Sequence, residues 1–235
     1  MLIIYCILNV KNNNKKKFRA VLFDLDGTLI DTAHDMVAIL QLMQRDFGIE
    51  PSSFKSARIY VSHGAVGLLS HGFPKLKIDY GDTLHKEYLN RYSKMICVKS
   101  KIYEHLDSLL VKLDSQKLPW GIVTNKPEHL TFPLLTQLNL LSKSSCVICG
   151  DTLPVRKPYP DPILLGCKII GANPKSTIYI GDAERDIEAG RASGCKTIAA
   201  SYGYINEKEN IQDWNADIIA KNTKELTQIV LNLIM

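Results

Sequence analysis

Asp24 and Asp26 stand two residues apart where the apolar run Arg19-Ala-Val-Leu-Phe-Asp24 ends, with Leu25 between them and Gly27-Thr28 behind them. In an extended chain alternate residues share a face, so Leu25 turns into the core while the two carboxylates turn out together. Gly27 lets the backbone swing away after them. A carboxylate becomes a workable nucleophile toward phosphorus once nearby positive charge cancels the repulsion of like charges. A second carboxylate beside it can move protons. An acid pair alone equally suits a helix cap or a solvated loop, so other residues must decide.

Three further groups bear on the choice. Thr124-Asn125 closes the run Trp120-Gly-Ile-Val. A hydroxyl and an amide there can hold phosphate oxygens, although Thr and Asn also simply open turns. Lys157 lies in the proline-stiffened loop Arg156-Lys-Pro-Tyr-Pro-Asp-Pro162, where a lysine is either solvated or a counter-charge. Gly181-Asp182-Ala-Glu-Arg-Asp186 closes another apolar run. Its two acids, four apart, share one helical face, a spacing that the dipole of a helix first turn also favours.

These groups need a scaffold that gathers strand ends. Short apolar runs at 19–24, 120–124, 146–149, 177–182 and 196–200 read as buried parallel strands. Helical patterns at 103–116 and near 128–140, 161–171, 184–193 and 223–233 lie between them. The alternation predicts an α/β fold with a parallel sheet, whose ligands bind outside the carboxyl ends of the strands. Between 32 and 99 no convincing strand occurs; helical patterns at 32–47, 64–71 and 82–96 fill a stretch too long for an ordinary crossover. The expected organisation is an extension over 1–17, a core over 18–31 and 100–235, and a helical domain inserted at 32–99.

Charge narrows the partners. Of 29 basic residues five lie in 1–19, which hold no acid, so the rest of the chain balances its 24 acids and carries no nucleic-acid footprint. The opening apolar run is too short to span a bilayer, and its positive charges follow it, the wrong order for a secretory signal. Cys146 and Cys149 have redox spacing, but residues three apart on a strand face opposite ways. Reduced thiols in a cytoplasmic protein are the expectation. The six histidines lack metal-ligand spacing, which argues against zinc.

Taken in order, Asp24-Leu-Asp-Gly-Thr28, Thr124-Asn125, Lys157 and Gly181-Asp182…Asp186 resemble the haloacid dehalogenase superfamily of phosphatases, over essentially residues 18–235. The resemblance implies a Rossmann-like three-layer parallel-sheet core with an inserted α-helical cap. It implies that Asp24 is the nucleophile and Asp26 the general acid/base, that Thr124 and Asn125 bind the phosphoryl group, and that Lys157 steadies its charge. Mg²⁺, which takes hard oxygen ligands, would be held by Asp24, the Asp26 carbonyl and Asp182, with Asp186 in support. Four carboxylates against Mg²⁺ and Lys157 leave one negative charge, which a proton on Asp26 would cancel. Dehalogenases of the superfamily lack the second acid, since a halide needs no proton, so Asp26 favours phosphate.

The 32–99 interval resembles the superfamily's cap, and Ser62-His63-Gly64-Ala65-Val66-Gly67 is its candidate substrate loop. His63 either meets an anionic group of the substrate or faces solvent beside a helix capped by Ser62. Within the superfamily, Val123-Thr-Asn-Lys-Pro127 and Tyr202-Gly-Tyr204 are similar to bacterial phosphoglycolate phosphatases and to the N-acetylmuramic acid 6-phosphate phosphatases. The expected substrate is a small phosphate ester, 2-phosphoglycolate first and N-acetylmuramate 6-phosphate close behind, handled by a monomer or homodimer. A phosphosugar mutase would use the same aspartates. A non-catalytic binding protein should have lost one of them, and a nucleotide-type Gly-rich turn after the first strand is lacking.

Overall fold

The structure, a computed structural model, describes residues 18–234. The extension expected over 1–17 lies outside the described residues. The first apolar run forms β1 (Ala20–Phe23), buried along its whole length. The other main strands are β4 (Trp120–Val123), β5 (Val147–Ile148), β6 (Thr177–Gly181), β7 (Lys196–Ala200) and β8 (Ile218–Ala220). Together they make one sheet in the order β5-β4-β1-β6-β7-β8, parallel throughout.

Both faces of this sheet are covered, as a parallel sheet requires. Val21, Phe23, Ile122, Ile178 and Ile180 enter one apolar core, to which α5 (Leu106–Ser115), α6 (Glu128–Gln137) and α9 (Thr223–Ile234) contribute Leu109, Leu134 and Leu226. The intervening Leu22, Val123 and Tyr179 enter a second core with Ile163 and Cys167 of α7 (Asp161–Ile169) and Ala189 of α8 (Glu184–Ser193). Strand alternation thus yields the three layers expected from the sequence. The chain builds β4 and β5 on one side of β1, then crosses to β6 on the other. The crevice at the carboxyl ends of β1, β4 and β6 is therefore the topological switch point, where such sheets bind ligands.

Between β2 (Ile30–Asp31) and β3 (Lys101–Ile102) the chain forms α1 (Ala33–Asp46), α2 (Phe54–Arg58), α3 (Gly64–Gly72) and α4 (Thr83–Lys94). β2 and β3 pair antiparallel, so the segments that leave and re-enter the sheet domain are stitched together. The inner faces of the helices, among them Leu40, Met43, Leu68 and Tyr88, continue the first apolar core. Thr32 does not cap α1 with its side chain. The Tyr204 hydroxyl does the work instead, accepting from the Thr32 and Ala33 amides at 2.7 and 3.0 Å while donating to Asp31 Oδ1 at 2.8 Å. Tyr202 donates to the Thr28 carbonyl at 2.8 Å, so the segment after β7 grips the root of the insertion at two points.

Among the described residues no helix is long and apolar enough to cross a membrane. Several short elements were not expected from the sequence, among them β2, β3, β8 (Ile218–Ala220) and α2. Each is five residues or fewer, too short for a period to register.

Candidate active site

Asp24 follows β1 and is buried, and its Oδ1 accepts from the Lys157 ammonium at 2.7 Å. Lys157 arrives from the loop before α7 with a fully enclosed side chain. The same ammonium lies 2.7 Å from Asp186 Oδ1 and donates to the Val123 carbonyl at 2.8 Å and to the Tyr179 hydroxyl at 2.9 Å. Burial would drive this lysine toward neutrality, but Asp186 and Asp24 outweigh it and hold its pKa above the ordinary value. The solvated alternative for Lys157 is thereby excluded.

Asp182 follows β6 and Asp186 sits in the first turn of α8. Asp182 Oδ2 accepts from the Tyr204 amide at 2.9 Å and from the Ser62 hydroxyl at 2.8 Å. Asp186 Oδ2 accepts from the Ala183 amide at 3.1 Å, which closes the start of α8. Gly27 makes this crowding possible. Its φ is +86°, and a Cβ there would fall 2.1 Å from Asp182 Oδ2.

One carboxylate oxygen from each of Asp24, Asp182 and Asp186 lies within 4.8 Å of the others. Burial, and then the neighbouring carboxylates, push Asp182 up to about 7. Burial likewise raises Asp24 to about 6, with Lys157 opposing it and Asp186 adding to it. Three hard oxygen donors this close, two of them reluctant to ionise unaided, fit a small divalent cation such as Mg²⁺.

Thr124 follows β4, and its buried hydroxyl accepts from the Lys126 amide at 3.1 Å, leaving its proton to donate. Asn125 binds the backbone of Lys157 from both ends, donating to its carbonyl at 2.9 Å and accepting from its amide at 3.1 Å. The amide thus fixes the lysine loop as well as lining the cavity. His63 also lines the cavity, one residue before α3, and burial followed by Arg185 lowers its pKa. Ser62 is not a helix cap, because its hydroxyl is on Asp182.

Three residues carry more than their sequence suggested. Lys126, next to Asn125, is buried and donates to Asp26 Oδ1 at 3.0 Å. Arg185, between the two acids of its motif, donates to the Ser62 carbonyl at 2.6 Å, and the Asp186, Asp24 and Asp182 charges overcome its burial to raise its pKa. Ser62 itself reaches from the insertion to Asp182. A charge pattern of alternating Lys or Arg among acids is ordinary surface chemistry, so nothing in the sequence separated these cations from solvated ones. Counting them changes the electrostatics: with Lys126 and Arg185 added to Lys157, four carboxylates and Mg²⁺ sum to one positive charge, so a proton on Asp26 balances the site once a dianionic phosphate is bound.

A cavity of about 590 Å³ opens between strand ends and insertion. Asp24, Asp26, Thr124 and Lys157 line one side, and Val61, Tyr80, Tyr88, Leu89 and Tyr92 the other. The fold and this crevice are those of a hydrolase built on a Rossmann-like sheet, and comparison with known proteins makes the family explicit. Residues 21–200 match the haloacid dehalogenase-like hydrolases, and the chain belongs to that family. It is 38% identical over 215 residues to the N-acetylmuramic acid 6-phosphate phosphatase of Pseudomonas putida, covering 91% of this chain and 96% of that one. It is 37% identical over 208 residues to a phosphoglycolate phosphatase of Xanthomonas campestris pv. campestris, covering 88% and 94%. A crystal structure described as a predicted phosphoglycolate phosphatase from Haemophilus somnus superposes with a TM-score of 0.80 at 24% identity, covering 92% of this chain and 99% of that one, which establishes the shared fold. The chain is a hydrolase, and the curated relatives it matches along nearly their whole length are phosphatases.

Proposed function

We propose that the protein hydrolyses a phosphate monoester through an aspartyl-phosphate on Asp24, with Mg²⁺ held by Asp24, Asp182, Asp186 and the Asp26 carbonyl. The observation that carries this reading is the Lys157 ammonium, sealed between Asp24 and Asp186 beside the Asp182 carboxylate. Such a lysine keeps positive charge where phosphoryl oxygens arrive. The cation, when bound, neutralises charge on the transferring phosphoryl group. Asp24 attacks phosphorus and the ester P–O bond breaks, with Asp26 giving a proton to the leaving oxygen. Water then attacks the acyl phosphate, losing its proton to Asp26 and regenerating Asp24. Thr124 donates to a phosphoryl oxygen. The helical insertion, residues 32–99, acts as a cap that excludes water and supplies substrate contacts, with His63 meeting an anionic substituent.

Cavity size favours one of the two substrates. A cavity of about 590 Å³ falls in the range of roughly 300–1,000 Å³ typical of drug-sized ligands and exceeds what a two-carbon acid fills. Met36, Val61 and Leu89 add apolar lining against which a larger group can pack. N-acetylmuramate 6-phosphate therefore ranks above 2-phosphoglycolate, reversing the order taken from the sequence. The free cysteines at 97, 146, 149, 167 and 195 support a cytoplasmic setting. The test is phosphate release from both esters, with Mg²⁺ and with EDTA. Mg²⁺-dependent release at least about tenfold faster, by kcat/KM, from the sugar ester upholds the ranking. Faster release from 2-phosphoglycolate reverses it, and inactivity across a broad phosphoester panel removes the phosphatase reading.

A further inference from the structure

Lys126 occupies the turn after β4, where a lysine ordinarily reaches for water. Its side chain is instead 4% exposed. The ammonium donates to Asp26 Oδ1 at 3.0 Å and to the hydroxyl of Tyr92 at 3.1 Å, and it lies 4.6 Å from the centre of the same tyrosine ring. Tyr92 belongs to α4 of the insertion and is itself buried. A buried ammonium persists only where partners compensate its lost hydration. Its partners here are one residue of the sheet domain and one of the insertion.

Asp26 has a second donor. Thr32, immediately before α1, donates from Oγ1 to the same Asp26 Oδ1 at 2.7 Å. Among the described residues both donors to this carboxylate converge on Oδ1, which leaves Oδ2 for a substrate oxygen. The terminal torsion of an aspartate is broad, and two donors on one oxygen from different segments remove that freedom. Asp26, Lys126 and Tyr92 all border the cavity.

We infer that Lys126 is a positioning residue for the proton transfer to the leaving group. It fixes the Asp26 carboxylate through Oδ1 so that Oδ2 meets the ester oxygen, and Tyr92 makes that alignment depend on the seating of the insertion. The inference rests on the phosphomonoesterase reading above. It differs from a role in phosphate binding, which falls to Lys157 and Thr124.

Leaving-group chemistry tests it. An alkoxide cannot leave without a proton, whereas p-nitrophenolate can. In the Mg²⁺-loaded protein, kcat/KM reports the steps up to formation of the aspartyl-phosphate. Lys126→Met is expected to lower kcat/KM about 100-fold for a sugar 6-phosphate but less than about fivefold for p-nitrophenyl phosphate. Inhibition by inorganic phosphate should stay within about twofold of the parent, since the phosphoryl pocket is untouched. Tyr92→Phe, which keeps the ammonium and the ring but loses the hydrogen bond to the insertion, should show the same selectivity at about tenfold. Equal losses on both esters, weakened phosphate inhibition, or no loss on either overturns the inference. If Lys126→Met does not fold, the selectivity of Tyr92→Phe decides by the same criteria. A parent protein inert toward both esters and across a broad phosphoester panel overturns the phosphatase reading and this inference with it.

Discussion

The two walls of the cavity are held in different ways. On the strand-end wall one ion ties several groups together: the Lys157 ammonium meets Asp24, Asp186, Val123 and Tyr179, and Asp186 also engages the Ala183 amide and the Tyr179 hydroxyl. The insertion's wall reaches across by few, separate contacts. Ser62 donates to Asp182 and accepts from Arg185 at its carbonyl, Arg58 donates to the carbonyls of Gly203 and Tyr202 at 3.1 and 3.3 Å, and Tyr92 accepts from Lys126. A network built around one ion with several buried partners is rigid and costly to interrupt. Contacts that stand singly can be broken and remade one at a time. The difference assigns the fixed chemistry to the strand ends and leaves adjustable contacts to the insertion.

Lys157→Met is the hardest test of the rigid side and should have the largest effect. It removes the cation that two buried carboxylates share, leaving both uncompensated. Breaking a buried pair on one side costs about 3–5 kcal/mol, and turnover should become undetectable. Denaturant unfolding checks the first expectation. A loss below about 1 kcal/mol would mean that water or a bound cation replaces the ammonium freely, and the strand-end wall would be no more rigid than its opposite.

The carboxylate cluster gives the next effect, through pH. Asp182 and Asp24 are raised from an ordinary value of 3.8 to about 7 and about 6, so the metal-free native state holds protons that the unfolded chain has released. Stability then falls as pH rises through that window and is lowest above about 7. Mg²⁺ favours the ionised forms, so the rise in thermal midpoint that it produces should be greater near pH 8 than near pH 5. Melting curves with Mg²⁺ or EDTA at both values decide the matter. Equal shifts at the two pH values would mean that the cation binds away from Asp24 and Asp182.

The same contrast explains what was legible in the sequence. The strand-end wall is written in short motifs at fixed places, because a rigid constellation needs particular residue types next to particular turns. Asp24-Leu-Asp-Gly-Thr28 and Asp182…Asp186 were readable for that reason, as were the strands that carry them, whose apolar runs are continuous. Lys126 and Arg185 were not readable. Each is a cation beside acids in a polar stretch, and only the three-dimensional closure around it shows that it is buried. Ser62 was foreseen merely as part of a loop, since a serine that reaches across to Asp182 is indistinguishable in sequence from one that begins a helix. Tyr204 carried kinship in the sequence, while its hydroxyl turns out to cap α1.

Tyr204→Phe probes that cap with a smaller effect. The Thr32 amide would lose its acceptor within a buried region, while the Ala33 amide and Asp31 Oδ1 would keep only their mutual bond at 3.3 Å. Leaving such groups unsatisfied costs about 1–3 kcal/mol. Because the hydroxyl sits at the root of the insertion, kcat/KM should fall more than the affinity for inorganic phosphate does. An unchanged unfolding free energy would show that water replaces the hydroxyl and that the root of the insertion is not pinned there.

The smallest expected effect belongs to Ser62→Ala, which removes one hydrogen bond from the insertion to Asp182 Oδ2 at 2.8 Å. The Tyr204 amide still binds that oxygen, so the carboxylate keeps a donor and stability should change by less than about 1 kcal/mol. Any consequence should appear in the Mg²⁺ concentration needed for half-maximal turnover, shifted by about two- to fivefold with kcat nearly constant. A donor that competes with the cation for the Asp182 lone pairs would move this value down when removed. A donor that merely orients the carboxylate would move it up. Either direction, with kcat preserved, keeps the insertion in an adjusting role. A collapse of kcat as deep as that of Lys157→Met would place Ser62 on the rigid side, and the division between the two walls would fail at the point where they touch.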